Sequence, residues 1–288
     1  MNPKRFDYFA PESLQEAISI LRENEDAKVL AGGQSLIALM KLRLAAPQVL
    51  VDLNRVKEDL SYIREEKNYL AIGAMATHDS VENSEVIKQK FTLLNDAASK
   101  IGDQQVRNRG TIGGSCCHAD PAADLPTALT ALNPTFVAVG PAGIREISYS
   151  DFFADTFTTS LAKEEILTEI RIPYLEQRSG SAYIKHSRRE GDFAIVGVGA
   201  VLTLDRSGSC KDVRISLGAV APTPIRASKA EKYLMGKKIT EGLLEEVGER
   251  AKDGADPPSD MHGSREYRFD MIKVFTKRAV KLALSRVR

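Results

Sequence analysis

This chain carries two glycine loops, Ala31-Gly32-Gly33-Gln34-Ser35-Leu36 and Thr111-Ile112-Gly113-Gly114-Ser115. Each loop places paired glycines beside a small hydroxyl residue. Paired glycines tolerate positive φ and let backbone N–H groups approach a ligand without a Cβ in the way. Successive exposed N–H groups form a concavity that binds anions. A single glycine pair is more often only a turn, whereas two loops of one design predict two surfaces that close on one diphosphate.

The residues around the first loop predict a strand, a turn and a helix. Residues 28–31 have the character of a short buried strand, and the spacing of residues 36–44 predicts a helix directly after the glycines. The free N–H groups and the dipole of a helix N-terminus both favour anions. An apolar stripe after Pro11 predicts a preceding helix, and residues 49–53 predict a second strand.

Length and charge limit the function classes. The chain has 288 residues, of which 43% are hydrophobic, and its formal net charge is +1. This is enough apolar sequence for two domains, and the balanced charge offers no concentrated basic face to nucleic acid. Residues 1–8 lack the apolar core of a signal peptide, and no apolar run is long enough to span a bilayer. We expect a cytoplasmic protein with no nucleic-acid partner and no membrane insertion.

Cysteine and histidine are too few and too scattered to predict a metal site. The three cysteines, Cys116, Cys117 and Cys210, include no C-x-x-C pair, and the histidines show no H-x-x-x-H spacing. Three thiols cannot supply the four ligands of a common iron–sulfur cluster or of a four-cysteine zinc site. We expect Cys116 and Cys117 to be buried free thiols rather than a strained vicinal disulfide.

The order of the elements predicts an α+β fold with two domains. Strand and helix patterns run to Pro173, and residues 177–180 form a polar break. Beyond the break, the pattern predicts a three-stranded antiparallel meander followed by three helices. We therefore predict a larger domain at residues 1–176, with subdomains at about 1–55 and 56–176, and a small C-terminal domain at residues 177–288.

Neither glycine loop fits the common nucleotide-binding fingerprints. The chain has no G-x-x-x-x-G-K-[ST] and hence no P-loop. Gly197-Val198-Gly199 begins like a Rossmann motif, but Leu202 stands where the third glycine belongs. This segment also lies within a strand pattern rather than at a turn from strand to helix. We interpret its two glycines as residues that permit close packing.

The longer motifs that contain the two loops resemble one known family. Lys41-Leu42-Arg43 follows the first loop, and Ala119-Asp120-Pro121-Ala122-Ala123-Asp124 follows the second. The similarity continues in Ser187-Arg188-Arg189-Glu190-Gly191-Asp192-Phe193-Ala194 and in Tyr267-Arg268. Together these motifs resemble the FAD-binding (medium) subunits of molybdenum hydroxylases. That family includes the medium subunit of carbon monoxide dehydrogenase and the flavin domain of xanthine dehydrogenase, and the resemblance covers essentially the whole chain.

The resemblance implies a fold, a cofactor and partners. The fold would be a two-subdomain FAD-binding domain (PCMH/VAO-like), followed by the C-terminal domain near the isoalloxazine. FAD would accept electrons from [2Fe-2S] clusters on a small subunit, which receives them from a molybdenum cofactor on a large subunit, in a dimer of heterotrimers. No side chain of this chain is expected to be catalytic. The residues implied to bind FAD are Ala31, Gly32, Gly33, Gln34, Ser35, Leu36, Ile101, Thr111, Ile112, Gly113, Gly114, Ser115, Asp120, Asp124 and Lys185.

Several of these residues also have a purely structural interpretation. Ser35 and Thr111 suit either a phosphate contact or the cap of the following helix, and the two roles are compatible. Asp124 is implied to accept hydrogen bonds from cofactor hydroxyls, whereas Asp120 suits a turn equally well. Lys185 would place a cation near the flavin, although we favour a solvated lysine. Ser115 departs from the family pattern, in which asparagine is commoner.

Three functions are compatible with these residues. We favour the FAD-binding electron-transfer subunit of a heteromeric molybdenum hydroxylase. A stand-alone FAD-dependent oxidase or reductase would hold a substrate pocket over the flavin within this chain. A non-enzymatic nucleotide-binding module would bind a phosphate ligand but no flavin.

Overall fold

The computed structural model describes residues 2–288, and the first glycine loop belongs to a small parallel sheet near their start. The strands of this sheet are β1 (Asp7–Phe9), β2 (Ala27–Leu30) and β3 (Val49–Asp52), in the order β1-β3-β2. Helix α1 (Leu14–Glu23) packs on it through the predicted apolar stripe, and the side chain of Ser13 caps the helix. The strands and the helix predicted around the first loop are therefore confirmed, but β2 is buried only at Leu30, not along its length as predicted.

Helix α2 (Leu36–Lys41) begins directly after the first loop, but it ends three residues earlier than the spacing predicts. Arg43 takes a left-handed φ of 62°, and the N–H groups of Leu44 and Ala45 bond back to the carbonyl of Leu39. A left-handed residue terminates a helix in this way. After β3, a 3-10 turn (Leu53–Val56) leads into the short helix α3 (Lys57–Leu60).

A five-stranded antiparallel sheet forms the centre of the next part of the chain, with the strand order β4-β5-β10-β6-β7. Strands β8 and β9 form a separate hairpin. The bounds of these strands are β4 (Ile63–Glu65), β5 (Tyr69–Gly73), β6 (Thr135–Gly140), β7 (Gly143–Ser148), β8 (Phe153–Asp155), β9 (Thr158–Thr159) and β10 (Ile166–Pro173). The predicted hairpin between β4 and β5 is confirmed.

Helices pack on this sheet and bury its apolar side chains. The core contains aliphatic residues from α6 and α9 together with Phe136, which stacks on Phe152 with ring centroids 3.9 Å apart. The second glycine loop forms the start of α8, so it lies inside this layer of helices. The bounds are α4 (His78–Asn83), α5 (Glu85–Lys90), α6 (Thr92–Ser99), α7 (Gln104–Arg107), α8 (Ile112–His118), α9 (Asp124–Leu132) and α10 (Tyr149–Phe152).

The C-terminal part contains the predicted antiparallel meander and three helices. The meander is β11 (Ser179–His186), β12 (Val196–Leu204) and β13 (Cys210–Gly218), and a two-residue strand, β14 (Ile225–Arg226), adds a fourth member that the sequence does not predict. The sequence predicts no strand here because Pro222 and Pro224 precede it, and proline is a signal against strand continuation. The helices are α11 (Ser228–Leu234), α12 (Glu241–Ala251) and α13 (Arg265–Ser285).

Both faces of the C-terminal sheet are covered. Val198 and Ala200 pack toward α12 and α13, whereas Tyr183 and Val201 belong to the core beneath α6 and α9. A Cβ on Gly199 would lie 2.5 Å from Ser216 Oγ, so the interpretation that glycine permits close packing here is confirmed. The α+β class is also confirmed, while the division at residues 176 and 177 stays a prediction.

Across residues 2–288, no helix combines the length and the apolar character that crossing a membrane requires.

Candidate functional site

The first glycine loop presents a row of backbone N–H groups without protein partners. The loop is partly exposed, and Gly33 takes a φ of 75°, which favours glycine. Among residues 2–288, no acceptor receives a hydrogen bond from the N–H groups of residues 32–35. Ser35 stands at the N-cap position of α2 as predicted, but its side chain makes no capping hydrogen bond. Such a row of N–H groups at the start of a helix attracts an anion.

The second glycine loop differs, because its N–H groups are used within the fold. Ile112 and Gly113 donate to the carbonyls of Ala76 and Ala74, each at 2.9 Å, and Ser115 donates to the carbonyl of Thr111 at 3.0 Å. Thr111 Oγ1 accepts from the N–H of Gly114 at 3.0 Å, which confirms its predicted cap. This loop therefore forms a rigid wall rather than a second row of free donors.

Close packing explains the glycine at position 113. A Cβ there would lie 2.5 Å from the Cβ of Ala74 and 2.6 Å from its carbonyl oxygen. Helix α8 thus rests on the segment that follows β5, and the central sheet fixes its position.

The two loops meet. A Cβ on Gly32 would lie 2.0 Å from the carbonyl oxygen of Arg109 and 2.8 Å from the Cα of Gly110. On the other side, a Cβ on Gly114 would lie 3.7 Å from the Cβ of Ala31. Glycine at position 32 is therefore required by the approach of two backbones. The contact shows that the two loops lie together, while their closing on one diphosphate stays a prediction.

Three polar residues that the sequence analysis missed support the first loop from below. Asn54 Nδ2 donates to the carbonyl of Ala31 at 3.3 Å, and Asp52 Oδ1 accepts from the backbone N–H of Asn54 at 2.9 Å. Tyr8 donates its hydroxyl to Asp52 Oδ2 at 2.6 Å, and this hydrogen bond is the main reason that the pKa of Tyr8 is raised. The strand β3 ends at Asp52, and a polar residue at a strand end beside a glycine loop is a signal that could have found it.

The two aspartates after the second loop have different roles. Asp120 Oδ1 accepts from the N–H of Ala122 at 2.9 Å, as in the predicted turn. Asp124 is buried at the start of α9, where Oδ1 accepts from the hydroxyl of Tyr183 at 2.7 Å and Oδ2 accepts from Lys185 Nζ at 2.9 Å. Burial raises the pKa of Asp124, while Lys185 and Tyr183 act in the opposite direction.

Lys185 is not solvated, so the expectation that we favoured for it is wrong. Its side chain is 3% exposed, and Nζ also donates to the carbonyl of Lys100 at 2.6 Å. The segment 100–102, which includes Ile101, is in turn covered by Gly191, whose Cβ position lies 2.8 Å from the carbonyl oxygen of Gly102. The fold thus brings two distant predicted residues, Asp124 and Lys185, into contact beside the segment that contains Ile101.

The histidines and thiols near the site are structural. His118 packs on Phe157 with ring centroids 5.0 Å apart, and burial lowers its pKa. Cys116 is buried as predicted, but Cys117 is exposed, because successive helical residues point about 100° apart. Burial raises the pKa of the Cys116 thiol. Within residues 2–288, no group of three or more His, Cys, Asp or Glu side chains is arranged to hold a metal ion.

The fold and the two loops together define a class of protein: an α+β chain in which a glycine loop with free N–H groups lies against a second glycine loop whose N–H groups are used within the fold. Residues 4–175 match the family described as the FAD binding domain in molybdopterin dehydrogenase, and residues 181–283 match the CO dehydrogenase flavoprotein C-terminal domain. The chain belongs to this family of FAD-binding subunits of molybdopterin dehydrogenases.

Relatives share the whole length of the chain. The glyceraldehyde dehydrogenase medium chain of Sulfolobus acidocaldarius is 39% identical over 98% of this chain and 99% of its own. The carbon monoxide dehydrogenase medium chain of Hydrogenophaga pseudoflava is 40% identical over 99% of both chains. In a solved structure of carbon monoxide dehydrogenase from that organism, a chain matches with a TM-score of 0.96, 40% identity and full coverage of both chains.

The residues present fit FAD. Its diphosphate is an anion, and the free N–H groups of residues 32–35 supply neutral donors beside a backbone that a Cβ on Gly32 would strike. The first loop therefore offers backbone donors to an anion.

Proposed function

We propose that this chain is the FAD-binding electron-transfer subunit of a heteromeric molybdenum hydroxylase. It would pass electrons from [2Fe-2S] clusters on a small subunit to an external acceptor through FAD. The observation that carries the proposal is the row of partnerless N–H groups at residues 32–35, closed by the second loop. Relatives that are medium chains of dehydrogenases, similar over their whole length, support it.

Different residues of this chain bind different parts of the cofactor. When bound, FAD supplies the redox chemistry, and the protein supplies position and electrostatic surroundings. Residues 32–35 bind the diphosphate through N–H groups, and residues 111–115 close the opposite side. Asp124 accepts hydrogen bonds from cofactor hydroxyls. The full proposed set is Ala31, Gly32, Gly33, Gln34, Ser35, Leu36, Ile101, Thr111, Ile112, Gly113, Gly114, Ser115, Asp120, Asp124 and Lys185.

The partners are proposed from the relatives. A medium chain implies a large and a small subunit beside it, and we assign the molybdenum cofactor to the large one and the [2Fe-2S] clusters to the small one. We further propose a dimer of heterotrimers that works in the cytoplasm. The domains at residues 1–176 and 177–288 would contribute the diphosphate cleft and the surroundings of the isoalloxazine, respectively.

Gly32→Ala tests the cofactor cleft. The added Cβ collides with the carbonyl of Arg109, so the loops must separate and the N–H row loses its geometry. We expect FAD to bind about tenfold or more weakly, because each charge-assisted hydrogen bond lost costs on the order of 1.5–3 kcal/mol. Titration of the purified chain with FAD, followed by flavin fluorescence, measures the change.

Gly248→Ala is the matched control for this test. Its Cβ would lie 2.7 Å from the carbonyl oxygen of Lys273, so it also presses on a backbone carbonyl, but between α12 and α13. We expect this variant to lose stability while its affinity for FAD is unchanged. A Gly32→Ala protein that binds FAD as tightly as the parent would show that the cleft is assigned to the wrong place.

Isolation from the native source tests the subunit role. We expect the chain to copurify with a molybdenum-containing subunit and an iron–sulfur subunit, and the isolated chain to oxidise no organic substrate. Recovery of a single chain with full dehydrogenase activity would instead establish the stand-alone oxidase or reductase.

A further inference from the structure

The ion pair between Lys185 and Asp124 is buried to an unusual degree. Their side chains are 3% and 6% exposed, and among the ion pairs of residues 2–288 this is the one in which both partners are less than 10% exposed. A buried ion pair is weak evidence for stability, since the cost of removing two charges from water offsets much of their attraction. Stability alone therefore does not explain why this ion pair is buried.

The cluster joins three elements that are far apart in the sequence. Lys185 lies on β11, Asp124 lies in the first turn of α9, and the carbonyl of Lys100, which accepts from Lys185 Nζ, lies at the end of α6. A cation suits the C-terminal end of one helix and an anion suits the N-terminal end of the other. Lys185 thus fixes the positions of both helix ends relative to the C-terminal sheet.

Tyr183 completes the cluster, and the fold makes room for it. It lies two residues before Lys185 on the same face of β11, is buried, and donates its hydroxyl to Asp124 Oδ1. A Cβ on Gly197 would lie 2.6 Å from the Tyr183 hydroxyl, so glycine at position 197 admits this side chain. Tyr183 is a residue that the sequence analysis did not select.

The carboxylate of Asp124 keeps acceptor capacity beyond these bonds. An ionised carboxylate has about four lone-pair positions, and the fold uses one on each oxygen. The charged or titratable groups that face Asp124 are Lys185 and Tyr183 from β11 and Lys100 from the end of α6. Burial favours the neutral acid, and these neighbours favour the carboxylate.

We propose that Lys185 and Tyr183 are positioning residues that act through Asp124, holding it as an oriented carboxylate that accepts hydrogen bonds from the hydroxyl groups of FAD. The inference rests on the proposed function, because it assigns a role toward FAD. Under this inference Lys185 orients the carboxylate of Asp124 and does not itself contact the cofactor.

A double variant separates this role from a structural one. Lys185→Met alone leaves a buried carboxylate unpaired and is expected to lose both thermal stability and FAD affinity. In Asp124→Asn/Lys185→Met both charges are gone, the Tyr183 hydroxyl keeps an acceptor, and we expect the melting temperature to return toward that of the parent. We expect its FAD affinity to stay about tenfold lower, because a neutral amide is a weaker acceptor than a carboxylate. Recovery of parental affinity in the double variant would show that the ion pair stabilises the fold and has no role in FAD binding.

The pH profile of FAD affinity gives a readout that a structural role would not move. The FAD affinity of the parent is expected to change less with pH than that of Lys185→Met, since burial raises the pKa of Asp124 and Lys185 opposes that rise. In Lys185→Met the affinity should rise with pH as Asp124 loses its proton. A flat profile in this variant overturns the inference. If Lys185→Met does not fold, Tyr183→Phe replaces it. We expect a severalfold weaker FAD affinity and a lower melting temperature, because one oxygen of the buried Asp124 carboxylate loses its donor. Parental affinity in this variant would contradict the inference.

Lys211→Met is the control, because Lys211 pairs with Glu176 at the surface. We expect this variant to bind FAD with unchanged affinity. The outcomes also separate the two proposals. A parent chain that binds no FAD contradicts the proposed function, whereas a parent that binds FAD, together with a double variant of equal affinity, contradicts only the role of Lys185 and Tyr183.

Discussion

Adjacent glycines of the first loop are required for different reasons. Gly33 needs a φ of 75°, a property of its own backbone, whereas Gly32 needs the absence of a Cβ because Arg109 lies against it. The paired glycines predict a turn, but no local signal shows that residue 32 meets residue 109. Likewise, no local signal shows that His78 meets Gly110. The imidazole of His78 lies against Gly110 and is buried, and within residues 2–288 its Nδ1 has no hydrogen-bond partner.

His78 makes the stability of the protein depend on pH. Burial, with a smaller contribution from Arg107, lowers its pKa from 6.5 to about 4. Between these values the unfolded chain binds a proton that the folded chain does not, so stability falls as the pH falls through this window. We expect the parent to lose roughly 3 kcal/mol more than His78→Gln between about pH 7 and pH 4. Urea unfolding at a series of pH values measures the difference, and parallel curves for the two proteins would contradict it.

Helices α12 and α13 pair through a ladder of opposite charges. Glu241, Glu245 and Glu249 recur at intervals of four on α12, and Lys273, Lys277 and Lys281 do so on α13. In the fold they form successive ion pairs between the two helices, of which Lys273 Nζ to Glu249 Oε1 is 2.5 Å. The spacing predicts a charged face on each helix, but only the packing of the helices places one face opposite the other.

Lys277→Ala tests the ladder. Lys277 bonds to Glu245 and holds the pKa of that glutamate below its usual value. It also lies near Glu241, whose pKa is lowered mainly by Lys281. We expect a small decrease in melting temperature at low ionic strength that shrinks as salt is added, because surface charges are screened. Lys211→Ala removes an isolated pair and serves as the comparison. An effect that does not change with salt would mean that Lys277 acts through packing.

At the scale of the whole molecule, the end of α13 returns to the N-terminal part. Arg286 donates to Asp96 Oδ2 at 2.5 Å and to the carbonyl of Ser181 at 3.1 Å. Asp96 also accepts from the backbone N–H of Tyr183 at 3.1 Å. A single carboxylate on α6 thus holds the end of the last helix and the first strand of the C-terminal sheet, which fixes β11 against α6.

Arg286→Ala should loosen this connection. Loss of its charge-assisted bonds leaves Asp96 without its cation and costs roughly 1–3 kcal/mol of stability. Hydrogen exchange is expected to increase in β11 and α6 while α1 and the parallel sheet stay protected. Arg288→Ala, at the exposed end of the chain, is the control. Equal protection in both variants would show that Arg286 does not hold the two parts together.

Much of the fold is predictable because its signals are local. The stripe of α1, the hairpin of β4 and β5, the cap at Thr111 and the three long strands of the C-terminal sheet all follow from periodicity and turn residues. The errors have physical reasons: Arg43 ends α2 through a left-handed φ, and β14 is too short to leave a pattern.

The site is less predictable, because its residues meet through long-range contacts. The glycines, Asp124 and Lys185 can be selected from motifs, yet the sequence favours a solvated Lys185 that the fold buries beside Asp124. Tyr183 and Asn54 leave no motif of their own. Each acquires its role from a partner at least 23 residues away.

By itself, the sequence determined the family, the α+β class and the two glycine loops, since paired glycines and hydrophobic periodicity act through the local backbone. Only the tertiary structure decided that the first loop keeps its N–H groups free while the second uses its own, and that a tyrosine and a lysine enclose Asp124. The physical reason is that hydrogen-bond satisfaction and burial depend on what the rest of the chain places nearby. Residue 32 meets residue 109, and residue 124 meets residue 185, only when the chain folds.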